Sequence, residues 1–172
     1  MDYVTGAALV IRADVLNQIG LFDELYNPAY MEEVDLCLRV RRAGYRIVVN
    51  PDACLIHYEG TATTEHVQRL HWFNRGRLLF LIKTRPLSQL LTEFATAERA
   101  YFKTTRDFTN MRAIKRAYLD AILRLDAWCA AREVYQGQPV LQDDREQLMD
   151  LLVSLRNDCI RADCEKIDQR FQ

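Results

Sequence analysis

The chain has no cysteine pair in a CxxC spacing, no apolar run of bilayer length and no excess of either charge. Its five cysteines (37, 54, 129, 159 and 164) are odd in number. They read as reduced thiols of a cytoplasmic protein, against a disulfide framework or a zinc site, with Cys37 and Cys54 falling on apolar core patterns. A membrane-spanning helix needs roughly twenty apolar residues, and no stretch approaches that length. The opening MDYVTGAALVIRAD lacks the basic and long apolar regions of a secretory leader. With 23 basic against 24 acidic residues, the net charge is -1, so nucleic acid is not expected as the main partner. From Pro86 onward there is no metal-ligand spacing, Gly-rich loop or nucleophile constellation.

What is present is a chain of 172 residues, 49% apolar and 27% charged, enough for one core with a helical appendage. VTGAALVI (4–11) reads as a short buried strand, with Gly6 where a side chain would be unwelcome. ADVLNQI is a short helix closed by Gly20. YRIVVN (45–50) reads as a strand stopped at Asn50-Pro51, and ACLIHY (53–58) as another that ends at His57. The expected fold class of residues 1–60 is therefore α/β. From residue 61 the texture becomes helical to the end, giving a second region, 61–172, of about three to four helices. These are a helix capped by Thr63 or Thr64 that ends before Pro86, another with Pro86 at its first position, a long one closed by Gly137, and a last one from about Leu141 to Gln169.

The stretch from Phe22 to Gly44 concentrates the chemistry. It places Asp23, Glu24, Glu32, Glu33 and Asp35 in a loop and the first turn of a helix, which Gly44 closes and Arg39, Arg41 and Arg42 populate near its end. Acidic residues are common in any first helical turn, where free N–H groups and the dipole favour them. Asp35 and Arg39 are spaced i, i+4, as in a surface ion pair contributing only about 0.3–0.5 kcal/mol. Capping and a catalytic or metal-facing edge are both open readings of these carboxylates taken alone.

Taken in order, TGAALVIRADVLNQIGLFDE and EEVDLCLRVRRAGYRIVVNPDACLIHYEG resemble the C-terminal, acceptor-side half of family 2 glycosyltransferase domains, above all rhamnosyltransferase-like members. The likeness runs through Gly6-Ala7, Gly20, Phe22-Asp23-Glu24, the acidic pair before Val34-Asp35-Leu36, Arg39, Ala43-Gly44-Tyr45, Pro51 and His57. It implies part of a GT-A fold and an inverting transfer from a nucleotide-sugar donor to a glycan or glycolipid acceptor, in cell-wall or polysaccharide synthesis. By position, Glu33 corresponds to the base that deprotonates the acceptor hydroxyl, with Glu32 before it; the pair reads Glu-Glu where the family has Glu-Asp. Phe22, Asp23, Glu24 and Gly6 correspond to acceptor-side contacts, and His57 to a metal or diphosphate contact.

The resemblance also implies Mg²⁺ or Mn²⁺ in the complete enzyme, held mainly by oxygen ligands. At a helix N-terminus the base would keep a low pKa and stay ionised. The family's N-terminal nucleotide-binding half and its Asp-x-Asp motif have no counterpart here, so the chain is expected to be a fragment that turns over little by itself. The other reading is a non-catalytic interaction module, with the C-terminal helices mediating homo-oligomerisation. The basic-aromatic run 69–85 suggests peripheral contact with an anionic membrane surface, at the inner face, against the plainer reading of a core helix with snorkelling arginines.

Overall fold

A computed structural model describes residues 1–58 and 65–168 of the chain. They form two compact units, Met1–Thr64 and Glu65–Gln172. The 60/61 boundary read from the sequence, the expected Thr63 or Thr64 cap and the end of the last helix near Gln169 lie outside the described residues.

Unit 1 is built on two helices, α1 (Ala13–Ile19) and α2 (Glu32–Arg42), with single 3₁₀ turns at Gly6–Ala8 and Glu24–Tyr26. Glycine ends both helices. Gly20 has φ +82° and its N–H reaches Leu16 O at 2.8 Å. Gly44, at φ +87°, donates to Arg41 O at 3.0 Å while Tyr45 N–H reaches Val40 O at 3.2 Å, the paired bonds of a Schellman stop. The helices pack on each other around Val15, Tyr26, Leu36, Cys37 and Val40.

The α/β expectation is overturned. Among the described residues there is no β-strand, and the three segments read as strands run without a ladder. Thr5 and Leu9 have extended dihedrals, but a 3₁₀ turn separates them. A strand is stable only when its N–H and C=O groups pair laterally with neighbours. An apolar run reports the wish to be buried, not the presence of such a neighbour. Hence Val10, Val48 and Ile56 are 95%, 75% and 78% exposed instead of buried. Cys54, expected in the core with Cys37, is exposed for the same reason; Cys37 is buried.

Unit 2 is helical. α3 (His66–Thr84) leads to a single turn α4 (Leu87–Gln89), a π-helical turn at Leu90–Phe94 and α5 (Ala95–Thr104). α6 (Phe108–Leu123), α7 (Leu125–Gln136) and α8 (Gln142–Asp168) follow. Pro86 stands just before α4 as its cap, one residue earlier than expected. The long helix read up to Gly137 is broken at Arg124, whose φ of -114° and ψ of 13° divide it into α6 and α7. α3 packs against α6 and α7, and α8 against α5 and α6. Leu78, Phe102, Met111, Ile114, Tyr118, Trp128, Leu148 and Leu152 are among the fully buried side chains between them.

The charges of α3 are used inside this bundle. Arg77 donates twice to Glu98, at 2.8 and 3.0 Å, and the Tyr118 hydroxyl donates to the same carboxylate at 2.6 Å. A buried carboxylate is tolerable only when its lone pairs are engaged in this way. Two other cations serve helix C-termini. Arg132 donates to Ile82 O and Arg85 O at the end of α3, and Lys166 to Phe102 O and Thr105 O at the end of α5. Each satisfies orphan carbonyls and complements the negative end of a dipole.

Tyr118→Phe removes one charge-assisted bond from Glu98 and should lower the unfolding free energy of unit 2 by about 1–3 kcal/mol. Urea denaturation followed by far-UV circular dichroism reads this directly, and an unchanged midpoint would show the hydroxyl to be dispensable.

Candidate functional site

The approach to α2 is strained. Tyr30 and Met31, neither a glycine, adopt φ of 79° and 77°, a left-handed conformation that costs a non-glycine residue about 1–3 kcal/mol. The reversal delivers Glu32 and Glu33 to the first turn of α2, with Asp35 N–H closing on Met31 O at 3.0 Å. Such strain persists only where surrounding contacts over-determine it.

Those contacts centre on Asp35 and Arg39. Asp35 is 0% exposed, receives Arg39 Nε at 2.9 Å and the Tyr26 hydroxyl at 3.4 Å. The rest of the guanidinium reaches across to the end of α1: Nη1 donates to Ile19 O at 2.6 Å and Nη2 to Leu21 O at 2.7 Å. The i, i+4 pair is therefore not the surface ion pair that the spacing suggested. It is a largely buried clamp, in which one arginine caps α1 and anchors α2 while each nitrogen of its fork donates a hydrogen bond.

Held by this clamp, Glu32 and Glu33 each keep one carboxylate oxygen, Oε2, shielded from solvent and without a hydrogen-bond partner. Buried polar atoms of this kind are uncommon, and an ordered water, an ion, local strain or a chemical role accounts for them where they occur. Burial raises the Glu32 pKa above its ordinary value, and the Glu33 charge adds to the effect. At Glu32 this departs from the low pKa that a helix N-terminus favours: desolvation outweighs the backbone hydrogen bonds. Gly6 lies directly on Glu33, since a Cβ built there would stand 3.8 Å from Glu33 Cβ. Gly6 also lines an apolar groove of about 1070 Å³ between residues 3–11, residues 46–50 and the Leu36–Val40 face of α2.

The structure places the remaining sequence-derived candidates as follows. Asp23 accepts Leu25 N–H at 3.0 Å and so caps the 3₁₀ turn. Phe22 and Glu24 beside it are exposed. His57 stands in the exposed segment 53–58. Among the described residues no group of three His, Cys, Asp or Glu side chains could hold a metal, so His57 and the acidic pair do not form one. Sequence reasoning missed the strained pair Tyr30-Met31 and the reach of Arg39 to α1. Neither carries a local signal, because a left-handed turn usually announces itself by glycine or asparagine.

A carboxyl whose folded pKa is raised contributes stability below its unfolded pKa and loses it as pH rises through the folded value. Glu32→Gln removes that penalty. It should raise the thermal midpoint of unit 1 at pH 7 relative to the parent chain, with the gap closing as pH falls toward 4.5, the ordinary value for this group. A gap independent of pH would locate the effect elsewhere than in Glu32 ionisation.

Comparison with known proteins relates part of this chain to glycosyltransferases. Over 63 residues it is 38% identical to the N-acetylglucosaminyl-diphospho-decaprenol L-rhamnosyltransferase of Mycobacterium tuberculosis, covering 37% of this chain and 20% of that protein. Over 91 residues it is 35% identical to the pre-mycofactocin glycosyltransferase of the same species, covering 51% of this chain and 19% of the other. An uncharacterized protein of Sinorhizobium fredii is 39% identical over 59 residues, covering 34% of this chain and 6% of its own length. The chain thus spans a fifth or less of the curated relatives it matches. No family model and no solved structure matches. A glycosyltransferase-like relationship in part of the chain is what these likenesses establish.

Proposed function

We propose that unit 1 forms the acceptor side of an inverting, family 2-like glycosyltransferase, with Glu33 as its general base. The observation that carries the proposal is the pair of solvent-shielded, unpartnered oxygens of Glu32 and Glu33 beside a glycine backbone. An unpartnered carboxylate oxygen is an acceptor left for a hydroxyl donor, and Gly6 puts no side chain against Glu33. The partial likeness to two named glycosyltransferases supports the same reading.

In this mechanism the acceptor hydroxyl donates its hydrogen bond to Glu33. As its oxygen attacks the anomeric carbon from the face opposite the leaving group, the proton passes to Glu33 and the bond from anomeric carbon to diphosphate oxygen breaks. The nucleoside diphosphate departs with that electron pair, and configuration inverts. Burial raises the Glu32 pKa, so Glu32 holds a proton more readily than an ordinary glutamate. A divalent cation, when bound, would offset charge on the departing diphosphate. The described residues gather no group of three His, Cys, Asp or Glu side chains to hold such an ion, so no step of the transfer is assigned to His57 or to a metal. Phe22 and Glu24 would border the acceptor. A nucleotide-sugar donor, a glycan or glycolipid acceptor and a cytoplasmic setting near the inner membrane face belong to the same proposal.

Glu33→Gln in the protein that carries this sequence should reduce sugar transfer by about 10²–10⁴-fold, the usual contribution of a positioned base, with circular dichroism unchanged. Glu33→Asp should retain more activity than Glu33→Gln. Transfer by the glutamine variant at the parental rate would remove Glu33 from the chemistry and favour a non-catalytic module.

A further inference from the structure

The sequence marked residues 69–85 for contact with an anionic membrane, but α3 spends cations of that run inside the bundle. Arg75 and Lys83 are buried, and Arg77 is committed to Glu98. α6 is different. Arg112 and Arg116, one turn apart on it, are both exposed, and neither enters a salt bridge or side-chain hydrogen bond with a described residue.

The same line of α6 then turns apolar. Leu119 and Leu123 follow at helical spacing and are 40% and 73% exposed. Hydrogen bonds carry the helix past the break that follows: Arg124 N–H reaches Asp120 O at 3.0 Å, and Trp128 N–H reaches Arg124 O at 3.1 Å. The line continues along α7 through the exposed Ala127 and Ala130 to Val134, which is 87% exposed. At about 100° and 1.5 Å per residue, the positions from Arg112 to Val134 fall within about 80° of arc and extend over about 33 Å. The bundle uses the opposite face, where Ile114, Tyr118, Leu125 and Trp128 are buried, so its own packing does not account for the apolar side chains outside. The acids of these two helices are drawn into other contacts. Asp120 bonds to His71, Asp126 to Arg145, and Glu133 accepts Val140 N–H. The outer face is therefore basic at one end and apolar along the rest.

We propose that this outer face of α6 and α7 lies on an anionic lipid bilayer. Leu119, Leu123 and Val134 enter the boundary between headgroups and acyl chains, and Arg112 and Arg116 meet lipid phosphates. A helix face that lies in the interface plane gains from apolar area buried there and from attraction of its cations to anionic lipid. A partner helix from another protein would cover the apolar line equally well, but it gives no reason for two arginines left without acid beside that line. Lipid phosphates supply the reason, because guanidinium forks match phosphoryl oxygens. The proposal concerns unit 2 alone and stands apart from the transfer chemistry of unit 1.

The test measures co-sedimentation of the chain with vesicles of phosphatidylcholine alone and of phosphatidylcholine mixed with phosphatidylglycerol, at low and high salt. The parent should bind the mixed vesicles and be released by salt. Arg112→Gln and Arg116→Gln should each weaken that binding about fivefold, and Leu123→Ser and Val134→Ser should weaken it several-fold. All four positions are exposed, and circular dichroism checks that each variant keeps the parent fold. Arg161→Gln, exposed on α8, should bind as the parent does. Failure to bind mixed vesicles, equal binding to phosphatidylcholine alone, parental binding by all four variants, or equal weakening by Arg161→Gln would overturn the proposal. So would sedimentation velocity without lipid that shows self-association abolished by Leu123→Ser or Val134→Ser, since that outcome assigns the line to a protein partner.

Discussion

The bond between Arg39 and the buried carboxylate of Asp35 is the constraint on which unit 1 depends. A fully buried aspartate is unfavourable unless its oxygens are bonded, and Arg39 answers it while spending its remaining donors on Ile19 and Leu21 carbonyls. One side chain thereby fixes where α1 stops, where α2 lies and how the chain must reverse between them. The left-handed Tyr30 and Met31 are the conformational cost of that arrangement. Glu32 and Glu33 follow at once, and they inherit a fixed position with their Oε2 atoms out of water. A capping role alone does not account for this, because first-turn carboxylates that only complement a dipole remain solvated.

Much of the helical layout was legible in the sequence because it rests on local rules. Gly20, Gly44 and Gly137 end their helices with positive φ, as the absence of a side chain permits. The break at Arg124 was not legible, since no glycine or proline marks it and tertiary packing decides it. The π turn at Leu90–Phe94 is hidden for the same reason. The strands failed on a non-local requirement: an apolar stretch such as VTGAALVI shows affinity for a core, while a sheet needs a laterally paired neighbour.

The acidic site was half legible. Residue order singled out Glu32, Glu33 and Gly6 as candidates, and the structure sets Gly6 against Glu33. Spacing alone misread Asp35 and Arg39 as surface residues, because the carbonyls and the hydroxyl that bury them come from residues 19–26. The raised pKa of Glu32 was equally out of reach, since desolvation depends on neighbours that a helical wheel does not display. For His57 the geometry adds only that no group of three His, Cys, Asp or Glu side chains forms among the described residues.

The central claim is that the acidic pair faces an acceptor hydroxyl. The most direct test is an NMR titration of the chain, labelled at backbone amides and glutamate carboxyl carbons, with soluble glycan acceptors such as rhamnose- and N-acetylglucosamine-terminated oligosaccharides. The account predicts shifts concentrated on Gly6, the Glu32 and Glu33 carboxyl carbons and the first turn of α2. Shifts that spare both carboxyl groups while acceptor binds elsewhere on the chain would contradict it.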